Sequence, residues 1–105
     1  MKTQTVIFAL ATVIFAAPAL ADHNERDEQG RKHGHWTEFP EDEILLSAEG
    51  IYVHGKRRGN WVLRYTSGSV SEGPYRDGKQ HGKWVLRKPD GTVINWTFRN
   101  GELIK

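Results

Sequence analysis

Two stretches of the chain alternate apolar and polar residues as an extended strand does. In "WVLRY", Trp61, Leu63 and Tyr65 fall on one face of such a strand. Val62 and Arg64 fall on the other face, and the same alternation returns 23 residues later in "WVLRK". After residue 30 a period of two fits the sequence better than the helical period of about 3.6 residues. The pattern therefore predicts an all-β protein. Further along the chain, Ile94, Trp96 and Phe98 alternate in the same way and would share one face of a strand.

One sequence unit recurs along this β-forming region. "GRKHGHW", "GKRRGNW" and "GKQHGKW" begin at Gly30, Gly55 and Gly78, and a truncated "GELIK" begins at Gly101. The intervals are 25, 23 and 23 residues, and the two extra residues of the first unit are expected within "EFPEDE". A repeat of this length predicts a stack of equal structural units. Three further columns keep the spacing: Gly34, Gly59 and Gly82; Trp36, Trp61 and Trp84; Tyr52, Tyr75 and Phe98.

Each unit has the sequence of a β-hairpin. Asp77-Gly78 and Asn100-Gly101 are dipeptides that accept the positive φ angles of a type I′ turn, and His54 precedes glycine in the same way. The other ends of the hairpins carry "TSG" and "PDG", which are also turn sequences. We therefore expect an antiparallel meander of about three stacked hairpins.

Two segments within this region are less regular. Residues 41–48 in "EDEILLSAEG" also fit a helical turn, but Tyr52 keeps the repeat register, which favours a strand. Pro74 falls inside a predicted strand, and it has no N–H to donate. It must therefore face away from the ladder or mark a bulge.

The segment "EGPYRDGKQHGKW", Glu72 to Trp84, resembles the MORN repeat (membrane occupation and recognition nexus), a β-hairpin of the form YEGxxxxGxxxGxG. It is most similar to the bacterial variant with tryptophan at the last glycine, and the resemblance covers Gly30 to Gly101. The resemblance implies an elongated scaffold without catalytic machinery. Members of the family have been linked to phospholipid or protein binding, and some bacterial members are labelled antitoxin components. Asn95-Trp96 replaces the Glu-Gly of the other units, and Trp96 is expected to cap the array.

The first 21 residues are typical of a secretory signal peptide. Lys2 is followed by the apolar "VIFALATVIFAA" and by "ALA" at positions 19–21, after which cleavage is expected. The apolar run of 16 residues is shorter than the roughly 20 that a spanning helix needs. No cysteine is present, which excludes a lipoprotein anchor and disulfides. We expect a periplasmic or secreted protein with a signal peptide (1–21), a flexible polar lead-in (22–29) and one repeat domain (30–105).

Catalytic and cofactor motifs are not evident in the sequence. "GKQHGK" lacks the GxxxxGK[ST] pattern and the following helix of a phosphate loop, so no cofactor is expected. The serines have no neighbouring base, and we expect no enzyme activity. His33 and His35 are candidate metal ligands on one strand face, with His23 upstream, although zinc takes three or four ligands. His33 also shares a repeat column with Arg58 and His81, which explains it without a metal.

The candidates for a binding face are side chains in repeat columns. Trp36, Trp61 and Trp84 form a row that is either a core ladder or an exposed stacking platform, and the gain from aromatic burial favours the core. Residues 22–54 carry 3 basic and 9 acidic side chains, and residues 55–105 carry 11 and 4. This asymmetry suits an anionic partner or head-to-tail contact between copies. Two pairs of arginines share columns and would form basic stripes: Arg64 with Arg87, and Arg76 with Arg99.

The sequence therefore predicts a non-enzymatic exported module that binds a protein or the envelope surface. One alternative is anionic lipid or glycan binding through the arginines and exposed tryptophans. Another is a small periplasmic metal-binding protein that uses His33 and His35. A nucleic-acid partner is not expected for an exported protein. Edge strands near Leu103 and Ile104 are expected to favour self-association.

Overall fold

The computed structural model describes residues 23–105, so the predicted signal peptide lies outside the described residues. All regular secondary structure in the described part is β-strand, and no helix there is long and apolar enough to cross a membrane. The strands are β1 (Glu25–Arg26), β2 (Lys32–Glu38), β3 (Leu45–Val53), β4 (Lys56–Tyr65), β5 (Val70–Arg76), β6 (Lys79–Gln80), β7 (Gly82–Arg87), β8 (Val93–Arg99) and β9 (Glu102–Leu103).

The nine strands form one sheet in which chain neighbours are also sheet neighbours. The order is β1-β2-β3-β4-β5-β7-β8-β9, and the short β6 pairs with β5. Every strand pair is antiparallel. This confirms the predicted all-β meander of successive hairpins. The two edge strands are only two residues long, a device that limits edge-to-edge pairing, and self-association stays a prediction.

The hairpin turns have the backbone that their sequences predict. Asp77 and Gly78 have φ angles of 51° and 85°, so both central residues are in the left-handed region that a type I′ turn requires. His54-Gly55 and Asn100-Gly101 adopt the same conformation.

These turns also join one repeat to the next. The Gly55 N–H donates to the carbonyl of Lys32, a residue of the preceding unit, at 2.8 Å. The equivalent bonds run from Gly78 to Arg57 at 3.0 Å and from Gly101 to Gln80 at 2.8 Å. Each turn is therefore held by the hairpin before it, and the positive φ angles of these turns account for glycine at each of the three positions.

The core lies on one face of the sheet. Trp61 and Leu63 are buried, Val62 is half-buried and Arg64 is exposed, as the alternation along β4 predicts. Trp96 and Phe98 are partly buried and pack against this core. The buried apolar residues are Trp36, Ala48, Tyr52, Trp61, Leu63 and Trp84.

The segment predicted to be a flexible lead-in contains a strand. β1 pairs with β2 through Glu25 opposite His33 and Arg26 opposite Lys32. The ladder uses backbone groups, so a segment without apolar side chains can still extend the sheet.

The two less regular segments adopt the favoured structures. The ambiguous "EDEILLSAEG" enters a strand at Leu45, and no helix forms there. At Pro74, β5 changes its partner: it pairs with β7 up to Glu72 and with β6 from Tyr75 onward. The proline therefore lies at an interruption of the ladder, as its missing N–H predicts.

Candidate functional site

The three tryptophans of the repeat column are core residues. Trp36 is 8% exposed, Trp61 0% and Trp84 1%. Each indole Nε1–H donates to a backbone carbonyl: Trp36 to Glu25 at 2.8 Å, Trp61 to Ile51 at 3.1 Å and Trp84 to Pro74 at 2.9 Å. Their rings and their polar atoms are thus both engaged inside the protein. An exposed stacking platform made of these rings is excluded.

The tryptophans alternate with the aromatic column of Tyr52, Tyr75 and Phe98. Successive rings from Trp36 to Phe98 meet edge to face, with centroid distances from 5.1 to 6.3 Å. This is the favoured geometry of aromatic pairs, and it extends across all three repeats.

Two cations of the protein itself cover this aromatic row. The Lys32 ammonium lies 5.0 Å from the Trp36 ring centroid, and the Arg57 guanidinium lies 4.3 Å from that of Trp61. Glu38 pairs with both cations, at 3.1 Å from Arg57, and accepts the Tyr52 hydroxyl at 3.0 Å. Burial raises the pKa of Glu38, but hydrogen bonds from Lys32 and Tyr52 and the two positive charges bring it below 4.5. The aromatic row is therefore covered by Lys32 and Arg57, whose charges are paired with Glu38 inside the protein.

The arginine stripe of Arg64 and Arg87 is not purely basic. Arg64 Nη1 lies 3.7 Å from Glu49 Oε1, and Arg87 Nη1 lies 3.3 Å from Glu72 Oε1. Both glutamates share a repeat column, so each basic side chain is matched by an acidic one on the neighbouring strand. In the described part of the chain, Arg76 and Arg99 form no ion pair within 4.0 Å.

The two candidate metal ligands of β2 belong to different clusters. His33 lies against His54, with ring centroids 4.4 Å apart, and Asp27 accepts a hydrogen bond from His54 Nδ1 at 2.8 Å. His35 instead contacts His23, at 5.7 Å between centroids. Gly34, between the two histidines, has a φ of 85°, which interrupts the regular strand. The structure thus brings together Asp27, His33 and His54, whose ligand atoms lie within 4.8 Å of one another, and leaves His35 out.

The hydrogen bonds of this cluster fit a structural role better than a metal site. His33 Nδ1 accepts the His54 backbone N–H at 3.0 Å, so a neutral His33 carries its proton on Nε2 and has no free lone pair. Asp27 is held by Arg31 at 2.8 Å as well as by His54. Burial raises the pKa of Asp27, but hydrogen bonds from His54, Arg31 and Gln29 hold it well below its usual range.

The same histidine role recurs at the other end of the array. His81 shares the column of His33, and its Nδ1 accepts the Asn100 backbone N–H at 3.1 Å. His54 and Asn100 are equivalent turn residues with positive φ angles. The histidine column therefore caps the turn of the following hairpin, and Arg58 occupies the same position in the middle unit.

An open apolar groove of 450 Å³ lies near the opposite ends of these hairpins. Tyr65 and Trp96 are half-buried there, and Ile44 is 68% exposed. The Glu43 carbonyl accepts a hydrogen bond from the Thr66 hydroxyl at 2.8 Å, which places the backbone of Glu43 beside the groove. Sequence reasoning missed this site, although Trp96 in place of the column glycine was its one visible signal. The lining residues are Ile44, Tyr65, Thr66, Ser67, Ser69, Leu86 and Trp96.

Comparison of the chain with protein-family models gave no match, and comparison with curated proteins gave none either.

Proposed function

We propose that this chain is a non-catalytic, exported repeat protein of the MORN-like type that binds a protein partner at the cell envelope. The observation that carries the proposal is the apolar groove around Trp96. Ile44 is left 68% exposed at its margin, although the neighbouring aromatic row is buried. Exposed apolar patches rimmed by polar residues mark interaction sites, and aromatic anchors are enriched where the partner is a protein.

The export and repeat parts of the proposal rest on the sequence. The signal-peptide pattern of residues 1–21 supports transfer out of the cytoplasm. The hairpin meander and the interlocked glycine turns agree with a MORN-like scaffold, in which each unit is stabilised by its neighbour.

The chemistry of the groove suggests the character of the partner. Glu41, Asp42 and Glu43 directly precede Ile44 in the chain, so an acidic segment borders this residue of the groove. An apolar side chain flanked by lysine or arginine would satisfy both the groove and this acidic border. Lipid or glycan binding has less support, because the tryptophans are buried and Arg64 and Arg87 face glutamates.

Site-directed photo-crosslinking in cells that export the chain tests the proposal. A crosslinker at Ile44 should capture one protein reproducibly, whereas a crosslinker at Ile51, which is also exposed but does not line the groove, should not. The Leu86→Ser variant should lose the crosslink if it remains folded by circular dichroism. Equal capture at both positions, or retention of the chain in the cytoplasm, would contradict the proposal.

A further inference from the structure

A second groove, of 640 Å³, lies at the turn ends of β4, β5 and β7. Its wall includes Arg58, Tyr75, Arg76 and His81, together with the glycines at positions 59 and 82. A Cβ added to Gly59 would meet no atom within 4 Å, so this wall is open. Arg58 and Tyr65 lie toward opposite ends of β4, which separates this groove from the apolar one.

The hydrogen bonds of His81 fix its free nitrogen as a donor. Its Nδ1 accepts the Asn100 N–H, so the proton of the neutral ring must be on Nε2. Exchanging the two ends of the ring by a flip would leave the Asn100 N–H facing a carbon atom. Among the described residues, the Nε2–H of His81 therefore has no hydrogen-bond acceptor.

This donor faces a second donor. Arg76 Nη1 lies 3.3 Å from His81 Nε2, and a guanidinium has no acceptor atom. Two N–H groups that face each other cannot bond to one another, and one acceptor placed between them can bond to both. A negatively charged oxygen satisfies two such donors best, because charge-assisted hydrogen bonds are the stronger ones.

The charges around the groove favour a singly charged oxyanion. Neither Arg58 nor Arg76 forms an ion pair within 4.0 Å in the described part of the chain. Asp77 also lines the groove, so its carboxylate repels a dianion more than a monoanion. A carboxylate can place one oxygen between Arg76 and His81, and Arg58 adds a second positive charge to the wall of the same groove.

We propose that the groove of Arg58, Arg76 and His81 binds a carboxylate, such as a glutamate or aspartate side chain of a protein partner. The source of the carboxylate rests on the proposed function, but the site itself does not. Binding of a small acidic peptide tests the groove alone, whereas crosslinking at Ile44 tests the apolar groove. Failure of one experiment is therefore distinguishable from failure of the other.

The test is an NMR titration of the exported chain with an acetylated, amidated tri-glutamate peptide. We expect saturable shifts of the His81 ring and of the Arg76 guanidinium, and none with the tri-glutamine peptide. Arg76→Gln should weaken binding about threefold to tenfold, the effect of losing one charge-assisted hydrogen bond that is partly solvated. Arg99→Gln is the matched control, because Arg99 shares the repeat column and does not line the groove.

Three outcomes would overturn the proposal. Equal weakening by Arg76→Gln and Arg99→Gln would show attraction by net charge rather than a site. Tighter saturation by inorganic phosphate than by the peptide would assign the groove to phosphate groups, and vesicles containing phosphatidic acid would then separate a lipid headgroup from free phosphate. If the His81 ring signals did not shift at saturating peptide, the peptide would not bind at this groove.

Discussion

A Cβ atom added to Gly50 would lie 2.5 Å from Cγ of Trp61. The tryptophan of the second repeat therefore packs directly on the backbone of the strand before it, in space that any other residue would fill. Gly73 has the same relationship to Trp84, also at 2.5 Å from Cγ. Neither glycine has a positive φ angle, so only the close approach of the ring requires glycine at these positions.

Alanine at Gly50 should therefore be strongly destabilising for steric reasons alone. Trp61 is completely buried and cannot move aside, so we expect Gly50→Ala to lower the free energy of unfolding by about 3 kcal/mol, the upper end of overpacking effects. Urea unfolding measures this change. Lys83→Ala, an exposed strand substitution, should change it by no more than about 0.5 kcal/mol. A similar small effect of Gly50→Ala would contradict the observed packing.

The buried indole of Trp61 should contribute more to stability than the half-buried indole of Trp96. Trp61→Phe removes the donor to the Ile51 carbonyl and leaves a gap in the core, so we expect a loss of about 2 to 4 kcal/mol. Trp96→Phe is the control, because Trp96 is half-buried and donates no hydrogen bond to the described residues. Its expected loss, again by urea unfolding, is less than half as large. Equal losses would show that the hydrogen bond and the burial of Trp61 have no special weight.

The sequence predicts the parts of the fold that depend on local pattern. The dipeptide Asp77-Gly78 encodes its turn, and the alternation around Trp61 encodes which face is buried, because both follow from neighbouring residues. Contacts between repeats are not encoded in this way. The bond from His54 to His33 spans 21 residues, and its nitrogen is identified only once the turn lies over the preceding hairpin. The apolar groove likewise depends on how Ile44 and Trp96 approach across the sheet.

The opposition of Arg76 and His81 shows the same limit. Repeat columns predicted that Arg76 and Arg99 would share a stripe, since they occupy equivalent positions. Only Arg76 has a histidine five residues later, and only the orientation of that ring shows that two donors meet. The repeat columns contain what the units share, whereas the candidate sites lie where one unit differs from the others.

Acid should destabilise the protein through Glu38 and Asp27. In the folded state the pKa of each carboxyl is lowered, from 4.5 for Glu38 and from 3.8 for Asp27, for the reasons given above. As the pH falls through these ordinary values, the carboxyl groups of the unfolded chain are protonated before those of the folded protein. The free energy of unfolding therefore decreases with pH until the lower folded-state pKa values are passed. The urea midpoint should therefore fall between about pH 5 and pH 3.

Glu38→Gln should flatten this pH dependence, because the substituted side chain no longer titrates. Glu41→Gln is the control: Glu41 is exposed and forms no hydrogen bond or ion pair with the described residues. It should leave the slope of the midpoint against pH unchanged. A Glu38→Gln slope equal to that of the unsubstituted chain would show that the Lys32 and Arg57 contacts do not hold the carboxylate in its ionised form.

The turn-capping role of His33 makes a prediction that separates it from a metal ligand. Nitrogen NMR of the histidine rings at neutral pH should show an unprotonated Nδ1 and a protonated Nε2 for both His33 and His81, because each Nδ1 accepts a backbone N–H. Zinc can coordinate His33 only if Nδ1 gives up its backbone hydrogen bond or Nε2 gives up its proton. Excess zinc should therefore leave the melting temperature unchanged. His33→Asn, whose side-chain oxygen can still accept, should retain more stability than His33→Phe. A zinc-dependent rise in melting temperature that is lost in Asp27→Asn would instead establish a metal site at this cluster.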